Sequence, residues 1–219
     1  MRATQLAVRI RPVRPPATRH RAFTLIELLV VIAIIAILVG LLFPAFKAVQ
    51  TQARQTQAKN DLTQIVNAVN AFYTDYGKYP INVPLGNTND AYVGTGGSIP
   101  AGATSYGTNN VLFDELRAVT NTLNTRQIVF ISPPFVKDGN NPRSGIGTTT
   151  LTGQYFDPWG KTYSVAIDTS YDNQISNPYT ANTGAGPTPL RQGVIAWSLG
   201  NDGIQGMNFS NSDDVISWQ

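Results

Sequence analysis

The chain has 219 residues, 13% of them charged, with no Cys and one His, His20. That length accommodates one folded domain plus an extended segment, and the residue content excludes disulfides, Cys/His zinc sites and catalytic arrangements built on Ser-His-Asp or Cys-His. Six of the 16 basic residues (Arg2, Arg9, Arg11, Arg14, Arg19 and Arg21) lie in the first 22, which hold no Asp or Glu, so the net charge of +3 belongs to that segment. Ten basic residues then face 13 acidic ones in the rest, scattered singly, with no Lys/Arg stripe to meet a nucleic acid.

Residues 28–43 form sixteen uncharged, nearly all apolar positions, LLVVIAIIAILVGLLF. With residues 23–27 the stretch spans about 30 Å as a helix, close to one bilayer core. The preceding Arg cluster places the N-terminus on the cytoplasmic side. A secretory signal peptide would instead show a small-x-small cleavage site after the apolar run, and Phe43-Pro44-Ala45-Phe46-Lys47 contains none. Glu27 is anomalous for a plain anchor. A carboxylate at membrane depth is costly and marks function by default, yet no Lys or Arg follows it within the next nineteen residues. Two readings stand at this point: solvation among the headgroups, or pairing with a cation from elsewhere.

Leu62, Ile65, Val66, Val69, Phe72, Tyr73 and Tyr76 recur at helical spacing, which predicts one amphipathic helix continuing to Tyr76, stopped by Gly77 and Pro80. Beyond it, residues 82–110 are rich in Gly, Asn, Thr, Ser and Pro and read as a long surface loop. Residues 111–119 carry a short helical pattern with Asn110 as its cap. Strands are expected over 127–131 (QIVFI), 161–168 (KTYSVAID), 193–198 (GVIAWS) and, as a short strand or turn, 215–218. Residues 137–153 read as a second flexible stretch. The class is α+β: a long N-terminal transmembrane and amphipathic helix packed on a small antiparallel sheet, with loop insertions. The expected division is a basic leader at 1–22, a helix at 23–76 (membrane part 23–43) and a head at 77–219.

Arg21-Ala22-Phe23-Thr24-Leu25-Ile26-Glu27-Leu28 closely resembles the processing signal of type IV prepilins and type II secretion pseudopilins. The resemblance implies cleavage between Ala22 and Phe23 by a prepilin peptidase, N-methylation of Phe23, and a role for Glu27 in neutralising the new N-terminal amine of a neighbouring subunit. Ala22 stands where Gly is usual, and a leader of 22 residues is long for the family. In the head, Asp157-Pro158-Trp159-Gly160 looks like the DPWG turn of the major type II secretion pseudopilin. Ser198-Leu199-Gly200-Asn201-Asp202-Gly203, with Asp213-Asp214-Val215-Ile216-Ser217-Trp218, is similar to its calcium-binding C-terminal loop, here residues 198–218. By resemblance the Ca²⁺ ligands are the carboxylates of Asp202, Asp213 and Asp214 and the carbonyls of Leu199, Asn201 and Ile204, an all-oxygen set that suits a hard cation. The segment between Gly206 and Asp213 is longer than the family pattern, and Asp202 and Asp213 equally suit turn and cap positions.

The resemblance implies a single-pass inner-membrane subunit with a periplasmic head. Copies of it would polymerise into a filament for type II secretion, together with minor pseudopilins, the assembly platform and membrane lipid; the alternative is a major or minor pilin of a surface fibre. No enzyme is expected: Gly200, Gly203 and Gly206 lack the dinucleotide spacing, and Trp159, Tyr163, Trp197 and Trp218 read as core before they read as a sugar-binding face. The insertions 82–110 and 170–190 have no counterpart in the resemblance.

Overall fold

The computed structural model describes residues 23–149, 151–179 and 184–219, with backbone alone at Pro44 and Ala45. The expected leader, Ala22 included, lies outside the described residues. Contacts divide the chain into Met1–Lys47 and Ala48–Gln219, and one helix, α1 (Leu25–Tyr76), runs through both.

In the first unit every described side chain from Phe23 to Phe43 is exposed. A helix apolar on all sides has no face to turn to water, and this one is long and apolar enough to cross a membrane.

In the second unit α1 is one-sided. Leu62, Ile65, Val69 and Phe72 are fully buried, and Val66 and Tyr76 pack partly buried against the same core. Tyr73 shares the spacing but stays at the rim, 38% exposed and stacked on Tyr79 at 4.6 Å. The helix ends as its sequence dictates: Gly77 takes φ +66°, a left-handed cap that glycine adopts without strain, and its N–H reaches the Tyr73 carbonyl at 2.8 Å.

The remaining elements are β1 (Asp90–Val93), β2 (Ala103–Ser105), α2 (Asn110–Leu116), β3 (Gly145–Ile146), β4 (Tyr155–Phe156), β5 (Ser164–Ile167), β6 (Val194–Ser198) and β7 (Val215–Ile216). Five of them form a sheet in the order β2-β1-β5-β6-β7; β3 and β4 pair separately. Every neighbour is antiparallel except β1 and β2, which run parallel. Side chains alternate across the sheet. Val165, Ile167, Val194, Ala196 and Val215 join the helix core. Tyr92, Ala166, Ile195, Trp197 and Ile216 form a second core on the opposite face with Ile175, Tyr179, Ala185, Leu190 and Leu199. The head therefore has three layers, and the third is largely supplied by the insertion after β5. A sheet covered on both faces explains why β5 and β6 are buried at every position.

Three expectations fail in detail. Residues 82–110 hold β1 and β2, and β1 is buried at every position between β2 and β5. Residues 127–131 form no ladder: Phe130 and Ile131 donate to the Leu116 carbonyl, and Ile128 donates to the Asn124 side chain. The apolar run plugs the end of α2 instead of pairing with the sheet. Asn110 is the first residue of α2, not its cap. Asn109 precedes it and is fully buried, and its side chain bonds to Tyr155 and to the Tyr163 carbonyl.

Candidate functional site

At the start of α1, Thr24 and Glu27 form a reciprocal capping box. Glu27 Oε2 accepts from the Thr24 N–H at 2.8 Å and from the Thr24 hydroxyl at 2.7 Å, while the Glu27 N–H donates to Thr24 Oγ1 at 3.3 Å. Two of the helix's orphan donors are thereby satisfied, with a negative charge at its positive end. Glu27 thus has a local partner that neither earlier reading supplied. The T-x-x-E signature directly before the apolar run was present to be read. A carboxylate retains acceptor capacity beyond these bonds, so the box orients Glu27 without exhausting it. Phe23, one residue before the cap, is 74% exposed.

In the head, Asp157 organises the turn that follows β4. Fully buried, it accepts on Oδ1 from the N–H groups of Trp159 (2.9 Å), Gly160 (2.8 Å) and Lys161 (2.8 Å). Its Oδ2 accepts from the Ser198 hydroxyl at 2.6 Å. Burial pushes its carboxyl above the usual range, against the pull of these hydrogen bonds. Ser198 ends β6, and its hydroxyl oxygen also accepts from the Gly200 N–H at 3.1 Å. The DPWG turn and the C-terminal loop, about forty residues apart in sequence, are therefore one hydrogen-bonded unit.

The loop itself is wound tightly. Gly200 sits at φ +61°, where a Cβ would come within 2.5 Å of the Asp213 carbonyl oxygen, so only glycine fits. Each of the three expected carboxylates is held by backbone donors. Asp202 Oδ1 accepts from Ile204 at 2.8 Å, Asp213 Oδ2 from Asn201 and Asp202 at 2.6 and 3.3 Å, and Asp214 Oδ2 from Gly206 at 2.8 Å. Leu199 is buried and its carbonyl takes the Gly203 N–H; Asn201 and Ile204 are exposed. Asp214 is 7% exposed, and its Oδ1 is buried with no hydrogen-bond partner among the described residues. An orphaned carboxylate oxygen inside an oxygen-rich loop fits a hard cation by its chemistry.

Among the described residues, the acidic group in which one carboxylate oxygen from each member lies within 4.8 Å of the others is a different one: Asp90, Asp168 and Asp172. Pairing of Ala91 with Ile167 places Asp90 opposite Asp168 at the end of the β1–β5 ladder. The Ser170 hydroxyl lies 3.1 Å from Asp90 Oδ1 and 3.0 Å from Asp168 Oδ1, and Asp168 also accepts the N–H groups of Asp172 and Asn173. Burial, joined by the charges of Asp168 and Asp172 and opposed by Ser170, pushes Asp90 from 3.8 up to about 6. No spacing in the sequence announces this group, because strand register brings Asp90 to Asp168 and the turn after β5 adds Asp172.

Residues 17–43 match the sequence profile of the prokaryotic N-terminal methylation motif. The match covers the end of the expected leader, the Thr24–Glu27 box and the apolar part of α1, and it supports a type IV pilin-like, prepilin-processed chain, in which α1 is long and apolar enough to cross a membrane. No curated protein and no solved structure matches the chain.

Proposed function

We propose that the chain is a pseudopilin-type structural subunit: cut between Ala22 and Phe23, N-methylated on Phe23, held in the inner membrane with its head in the periplasm, and polymerised into a filament for type II protein secretion. The observation that carries this reading is the methylation motif over residues 17–43, which overlies an apolar helix whose first turn presents Glu27. Partners on this reading are further copies of the chain, the prepilin peptidase, minor pseudopilins, the assembly platform and membrane lipid. The resemblance of the DPWG turn and of the C-terminal loop to those of the major type II secretion pseudopilin favours secretion over a surface fibre. Ca²⁺ is the proposed structural cofactor, held by the carboxylates of Asp202, Asp213 and Asp214 and the carbonyls of Leu199, Asn201 and Ile204. Bound there, it would neutralise the loop's acidic charge.

Glu27→Gln separates charge from capping, since Gln at this position also closes a capping box. Expressed with the assembly machinery, the variant is expected to be cleaved before Phe23 but to form no filaments by electron microscopy. Wild-type filament numbers in the variant would overturn the charge-pairing role.

A further inference from the structure

The segment 171–179 brings one side chain to the C-terminal loop that the resemblance does not account for. Tyr179 is 1% exposed, and its hydroxyl has no hydrogen-bond partner among the described residues. It lies close enough to Asp214 to feel that carboxylate's charge, which acts with burial to raise the phenol well above its usual range. The Tyr179 hydroxyl and the Asp214 carboxylate thus interact, and each residue holds a buried polar atom that makes no close hydrogen bond among the described residues. Each is costly to leave unpaired, and toward an ionised carboxylate, which only accepts, the phenol O–H is the donor.

The segment is anchored so that the hydroxyl has little freedom. Asn177 Nδ2 donates to the carbonyls of Ala185 (2.9 Å), Pro187 (3.1 Å) and Gly186 (3.2 Å), and its Oδ1 accepts the Tyr179 N–H at 3.0 Å. The ring sits edge-on to Phe209 at 5.5 Å and tilted to Trp218 at 6.1 Å. From the loop side, Gln205 Nε2 donates to the Pro178 carbonyl at 2.7 Å, and its Oε1 accepts from the Ser98 N–H at 2.5 Å. Gln205 therefore ties both insertions to the loop that carries Asp214.

We infer that Tyr179 is a positioning residue for a divalent cation on the C-terminal loop: its hydroxyl orients Asp214 through Oδ1, so that ion binding and the order of residues 171–179 are coupled. The inference rests on the calcium reading above. A carboxylate has acceptor sites on both oxygens, so the tyrosine donor can hold it in one orientation while other lone pairs face the ion. Groups of this kind behind a metal ligand are worth about ten- to a hundredfold in affinity.

The test uses the full chain in detergent, titrated with Ca²⁺ by calorimetry and followed by hydrogen exchange over residues 171–179. Tyr179→Phe keeps the ring packing and removes the donor; Asp214→Asn removes the ligand. Wild type is expected to bind Ca²⁺ and gain protection over 171–179. Tyr179→Phe should bind about tenfold more weakly and lose the Ca²⁺-dependent protection while melting like wild type without the ion. A Tyr179→Phe variant with wild-type affinity and protection would overturn this inference alone, provided Asp214→Asn abolishes binding. Wild type that takes up no Ca²⁺, or Asp214→Asn that binds normally, would overturn the cation reading and this inference with it.

Discussion

Asp90 makes the stability of the head depend on pH. Its carboxyl titrates near 3.9 in an unfolded chain but at about 6 in the fold, because it is buried and faces Asp168 and Asp172. Below about 4 it is protonated in both states. Between about 4 and 6 the folded chain retains a proton that the unfolded chain has lost, so stability falls as pH rises through this window and levels off above it. Melting temperatures taken from pH 3.5 to 7.5 in EDTA should show this decline, and Asp90→Asn should remove its share of the slope. An unchanged slope in the variant would contradict the assignment. Legibility at this scale is uneven. The Thr24–Glu27 box was readable, since four consecutive residues carry it. Asp157 and Ser198 were visible only as members of two motifs, because the hydrogen bond joining them depends on the fold. Asp90, Asp168 and Asp172 were not readable at all, being brought together by register across a ladder and by the turn that follows β5. Asp202, Asp213 and Asp214 stand out through their motif, and the geometry singles out Asp214 by a buried oxygen with no hydrogen-bond partner among the described residues.

At the scale of the element, the second half of α1 is decided by its stripe. Leu62, Ile65, Val69 and Phe72 follow the helical period and are all fully buried. Phe72 also stacks on Tyr76 at 4.5 Å and meets Phe130 at 5.2 Å. Phe72→Ala should destabilise the head by about 3–5 kcal/mol, whereas Tyr73→Ala, one residue on but at the rim, should cost about 1 kcal/mol or less. Denaturant midpoints of the two variants check the contrast, and equal losses would mean that the stripe is misassigned. Strands divide differently. β5 and β6 were legible because burial on both faces requires continuous apolar runs. β1 and β2 were hidden in a Gly-, Asn- and Thr-rich stretch, since Asp90-Ala91-Tyr92-Val93 is too short and too flanked by breakers to stand out. Residues 127–131 carried a strand composition, but their N–H groups are taken by the end of α2 and by Asn124, and two prolines follow. Composition specifies what is buried, and only the tertiary partners decide whether a ladder forms.

At the scale of the whole chain, the two units present different surfaces to their surroundings. Residues 23–43 form a helix with no polar face, suited to lipid and to the helices of further copies. The unit from Ala48 to Gln219 buries both faces of its sheet without any disulfide, one against α1 and the other largely against the insertion after β5. The α+β class, the long helix and its end at Gly77 were all legible from periodicity and breakers. The third layer was not, because its apolar residues are spaced singly through a polar insertion. The central claim, a subunit released from its leader and assembled through its N-terminal helix, is tested most directly by mass spectrometry of the mature N-terminus from membranes of cells with and without prepilin peptidase. The account predicts a terminal peptide beginning at N-methylated Phe23 that disappears when the peptidase is absent. An intact leader in both strains, or cleavage beyond Phe43, would contradict it.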